Sequence, residues 1–85
     1  MTKMHTVELD VEGAKREDVE YWVNEIANQY ADLAIENVNL AGNKVAFKIG
    51  SPSMEDISAD DIKFRLQEYM TMNEAPFRCK NLRVG

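Results

Sequence analysis

From Val19 to Tyr30 the apolar residues return every three or four positions. Val19, Trp22, Val23, Ile26, Ala27 and Tyr30 share one face of a helix, and Glu17, Asp18, Glu20, Asn24, Glu25 and Asn28 occupy the rest. The spacing predicts a helix over Arg16 to Tyr30, with Glu17 and Asp18 in the first turn, where the helix dipole favours acids. Ahead of it, Val7, Leu9 and Val11 alternate with Thr6, Glu8 and Asp10, the period of a strand with one buried face, here Met4 to Val11. Gly13 ends that run. After the helix, Leu33 to Leu40 reads as a less regular strand, and its Asn37 and Asn39 place it at a sheet edge.

The turn Ala41, Gly42, Asn43 joins this strand to Lys44 to Ile49, where Val45, Phe47 and Ile49 alternate with Lys44, Ala46 and Lys48, so the two form a hairpin. Gly50 to Ser53 is a connection, and Met54 to Ile57 an early turn. Ser58, followed three residues later by Asp61, is the expected cap of a second helix. Ile62, Leu66, Tyr69 and Met70 form its buried stripe, with Met72 at the margin. The last strand, Phe77 to Val84, begins with Phe77 and Cys79 facing inward and continues with Leu82 and Val84 in the other parity, which implies a bulge or a strand end leaving the sheet.

The element order is therefore β-α-β-β-α-β in one domain spanning residues 1–85. Two right-handed crossovers turn that order into a ferredoxin-like split sandwich, an antiparallel sheet of order 4-1-3-2 with both helices on one face. The order is similar to that of ACT-type regulatory domains, which bind amino acids at strand-to-helix loops when dimeric; the resemblance covers the fold and no motif. Acylphosphatases are similar in architecture too, but their arginine-bearing glycine loop and asparagine-bearing motif have no counterpart here.

Charge changes the picture in one respect. The net charge of −5 disfavours direct nucleic-acid binding. Residues 1–42 hold nine acids against three bases, and residues 43–85 hold six against seven. In the expected sheet, Glu8 and Asp10 on the central first strand lie between Lys44 and Lys48 on one side and Arg78 and Lys80 on the other. The asymmetry becomes cross-strand pairing on the open face, a surface poorly suited to RNA. The absence of a long apolar run and of a signal-peptide core points to a cytoplasmic chain with no membrane contact.

Candidate chemistry is sparse. His5 is the single histidine and reads as a strand-end imidazole at the core rim rather than a general base. Cys79 reads as a buried small hydrophobe, and no spacing suits a metal or a cofactor. The two loops that lead into the helices, expected to meet at one end of the sheet, bring Gly13, Lys15, Arg16, Ser51 and Ser53 together as a small-anion or amino-acid site, as in a ligand-sensing dimer.

The stronger candidate is the outer helical face. Tyr21 and Phe64 fall opposite the buried stripes, and with Glu17, Glu20, Glu25 and Glu68 they form an aromatic patch with an acidic edge. Such a patch suits a non-enzymatic interaction or regulatory module, an adaptor or an inhibitor, whose protein partner is basic or itself binds nucleic acid. Pairing along the edge strand Leu33 to Leu40 makes a homodimer a further expectation.

Overall fold

The computed structural model describes residues 3–53 and 57–85. Its elements are β1 (Met4–Glu12), α1 (Arg16–Gln29), β2 (Ala34–Ala41), β3 (Lys44–Gly50), α2 (Ala59–Met72) and β4 (Arg78–Val84). Where the residue pattern sets a boundary, the structure agrees to within one residue. Most of the early turn expected over 54–57 lies outside the described residues.

The sheet order is β2-β3-β1-β4, and every neighbouring pair is antiparallel. This is the ferredoxin-like βαββαβ arrangement. The odd-numbered aliphatics of the central strands, Val7, Leu9, Val11, Val45, Phe47 and Ile49, share one core with Val19, Trp22, Val23 and Ile26 of α1 and Ile62, Leu66 and Tyr69 of α2. Both helices thus cover the same face. Trp22 is the hub of this core: its ring meets Phe47, Tyr69 and Phe77 edge to face at centroid distances of 6.5, 6.5 and 5.5 Å. At the start of α2 the Ser58 hydroxyl accepts from the Asp61 amide at 3.1 Å, a cap that contributes about 1 kcal/mol.

Both outer strands carry a bulge, and both do so at asparagine. In β2 the pairing steps from Glu36↔Lys48 to Asn39↔Ala46, so Asn37 and Val38 together oppose Phe47. In β4 it steps from Lys80↔Asp10 to Arg83↔Glu8, so Asn81 and Leu82 oppose Leu9. Asn37 and Asn81 adopt φ of 58° and 55°, the left-handed region that asparagine tolerates better than most side chains. The extra residue resets the parity. It lets Ile35 and then Val38 and Leu40 face the core in β2, and Cys79 and then Leu82 and Val84 in β4. It also halves the unbroken ladder that a second copy could continue along β2.

The open face of the sheet holds a mixed-sign ladder, but not with the expected partners throughout: Glu12 and Arg83 join it, and among the described residues Lys48 and Arg78 form no ion pair. Lys44 pairs with Glu8 at 3.4 Å, and Lys80 with Glu12 at 2.8 Å. Arg83, which the Asn81 bulge brings to this face, reaches Asp10 at 3.5 Å, and the Asn81 side-chain amide donates to the same carboxylate at 2.9 Å. Hydrogen bonds from Asn81 and Arg83 hold the Asp10 carboxyl below its ordinary 3.8, and the bond from Lys80 holds Glu12 below 4.5.

Because both carboxyls bind protons less readily when folded, their stabilisation is complete above those ordinary values and disappears as pH falls through the lowered ones. Chemical denaturation should therefore show a midpoint that declines below about pH 4, and Asp10→Asn with Glu12→Gln should flatten that acid limb. An identical limb in the double variant would contradict the ladder.

Candidate functional site

The C-terminal end of α1 is locked to the middle of α2 by a three-residue clamp. Tyr30, just beyond α1, donates its hydroxyl to the Arg65 carbonyl of α2 at 3.0 Å. The Arg65 guanidinium lies 5.9 Å from the centre of the Tyr30 ring and bonds both carboxylate oxygens of Asp32, at 3.0 and 2.8 Å. Both bonds run from one nitrogen, Nη1, and at 2.8 Å this is the shorter of the two ion pairs on the helical side among the described residues. Arg65 in turn holds the Asp32 carboxyl below its usual range.

On the surface so fixed, Tyr21 and Phe64 are 63% and 65% exposed, as their positions opposite the buried stripes require. The acids take separate places around them. Glu17 is exposed in the first turn of α1, and Glu20 pairs with Arg16 at 3.5 Å. Glu25 and Glu68 line the seam between the helices: burial and then the Glu25 charge raise the pKa of the Tyr69 phenol, and burial and then Glu68 raise that of Tyr30. Tyr21 is a further contributor at Tyr69, so Tyr21, Glu25 and Tyr69 form one group across the seam. Among the described residues, no ring pair includes Phe64 or Tyr21.

Sequence reasoning left Met72 at a margin, yet it is the most exposed large apolar residue described, at 74%. It belongs to an open concavity of about 580 Å³ between the C-terminal end of α2 and β4, lined by Met70, Met72, Asn73, Glu74, Phe77 and Cys79 among others. Phe77 connects this concavity to the core through Trp22. Cys79 faces inward as its parity requires, but on an outer strand it is only half-buried; burial pushes its thiol up to about 11, which leaves it protonated at neutral pH.

The loop site expected from the sequence is not assembled. β1 and β3 run antiparallel, with Met4 opposite Gly50 and Asp10 opposite Lys44. Gly13, Lys15 and Arg16 therefore follow one end of the sheet, and Ser51 and Ser53 follow the other, about 26 Å away along β1. Gly13 makes an exposed turn at φ +71°, Lys15 is the extended N-cap of α1 with no side-chain cap bond, and Arg16 is committed to Glu20. Ser51 is fully buried, with its hydroxyl 3.2 Å from that of Ser53.

His5 is 6% exposed and donates from Nε2 to the Ile57 carbonyl at 2.8 Å, tying the start of β1 to the approach of α2. Among the described residues, no cluster of His, Cys, Asp and Glu could hold a metal ion, and no helix is long and apolar enough to cross a membrane.

Fold and surface together define a small ferredoxin-like domain with an exposed aromatic and methionine-bearing helical side. Comparison with known protein families, with curated proteins and with solved structures finds no match.

Proposed function

We propose that this chain is a small non-enzymatic protein-interaction module that docks on a basic protein partner through its helical side. One observation carries the reading: Tyr21, Phe64 and Met72 are all well over half exposed on the two helices, while the opposite sheet face is covered with paired charges. Large amphipathic and apolar side chains held on rigid helices are the usual anchors of protein interfaces. The acids around them, Glu17, Glu20, Glu25 and Glu68, favour a partner of opposite charge and speed its encounter.

The test is affinity capture from the native host with tagged protein. Tyr21→Ala with Phe64→Ala, and separately charge reversal at Glu17, Glu20 and Glu25, should abolish capture of the partner while the thermal transition stays near that of the parent chain. Thr6→Ala, on the sheet face, should leave capture intact. Equal capture by all of these chains would overturn the reading.

A further inference from the structure

The concavity at the end of α2 combines an apolar lining with an uncompensated negative pole. The last turn of the helix has no basic residue, although its C-terminus is where a cation is most favoured. The capping bonds do not use it up: the Asn73 amide and the Asn73 side chain both donate to the Tyr69 carbonyl, and the Thr71 hydroxyl to that of Gln67. Among the described residues, no donor reaches the carbonyls of Met70, Thr71 or Met72. Glu74 lines the same space, and no lysine or arginine does.

We propose that this concavity receives an arginine side chain of the protein partner. The proposal rests on the docking reading above and names the anchor it uses. The aliphatic stem lies over Met70, Met72 and Phe77, whose polarizable and aromatic surfaces suit it. The guanidinium meets the last carbonyls of α2 and the Glu74 carboxylate. Its planar fork of five donors matches several acceptors at once, and its weaker hydration makes it cheaper to bury than an ammonium group. A volume of about 580 Å³ is ample for one such side chain and its backbone.

The experiment is a titration of the isotope-labelled protein, followed by amide NMR, with N-acetyl-arginine amide and, as control, the uncharged isostere N-acetyl-citrulline amide. Arginine amide should give saturable shifts at Met72, Asn73, Glu74 and Phe77, and citrulline amide should not. Glu74→Gln should weaken the binding about three- to tenfold. Thr71→Lys, which supplies an internal cation to the same pole, should remove it with the rest of the spectrum unchanged. Equal shifts with citrulline, or arginine shifts spread evenly over Glu17, Glu20 and Asp60, would overturn the assignment. The titration uses no partner, so its failure overturns this pocket alone, whereas failure of the capture experiment overturns the docking face.

Discussion

Trp22→Ala should remove about 3 to 5 kcal/mol of stability, the usual cost of truncating a fully enclosed tryptophan. A domain of this size has only about 5 to 10 kcal/mol in total, so the variant should unfold at a small fraction of the denaturant needed by the parent chain. The reason is geometric: the indole, 2% exposed, meets a residue of β3, one of α2 and the Phe77 ring ahead of β4, so its loss opens the core on three sides.

Trp22→Phe separates volume from polarity. The indole Nε1–H is buried without an acceptor among the described residues, and an unsatisfied donor costs about 1 to 3 kcal/mol. The phenylalanine variant sheds that cost along with part of the ring, so its midpoint should lie far closer to that of the parent than the alanine variant's. Urea denaturation followed by circular dichroism tests both. A phenylalanine variant as weak as the alanine one would show that the N–H has an acceptor.

Gly50→Ala should also destabilise, against the usual direction for that exchange. Restricting the unfolded chain favours alanine by about 0.4 to 1 kcal/mol. At Gly50, however, a methyl group would press on the Lys3 carbonyl oxygen and come within 2.7 Å of Met4 Sδ. The sulfur can swing away, but the carbonyl is backbone at the start of β1, where Met4 pairs with Gly50, and Gly50 also pairs with Ala34 on its other side. Overpacking of this kind costs about 1 to 3 kcal/mol, so the steric effect wins and the denaturation midpoint falls. A midpoint equal to or above that of the parent would mean that the first residues of β1 are free to move aside.

The fold could be read from the sequence because its strands and helices keep their periods where one face is buried. Even the bulge of β4 was legible, as the slip in parity between Cys79 and Leu82. The same slip lies between Ile35 and Val38, and each follows the pattern of a charged residue and then asparagine. In β2 it was hidden because Asn37 had a sufficient explanation as an edge residue.

The loop site failed for a different reason. Element order sets which strands are neighbours, but bringing Gly13 and Ser51 together also required β1 and β3 to run the same way, and a hairpin between β2 and β3 makes them run oppositely. The clamp of Tyr30, Arg65 and Asp32 left no periodic trace because it joins residues distant in sequence through polar groups; the concavity at Met72 left none because its lining, drawn from residues 70–79, runs through the irregular connection from α2 to β4, which has no period.

The two asparagine kinks on the outermost strands bear on how the chain behaves when crowded. A neighbouring copy sliding along either flank would find its row of amides in step for three or four residues and then out of phase, with no way to realign without breaking the parity of the whole strand. Growth into fibres is thereby frustrated at both rims.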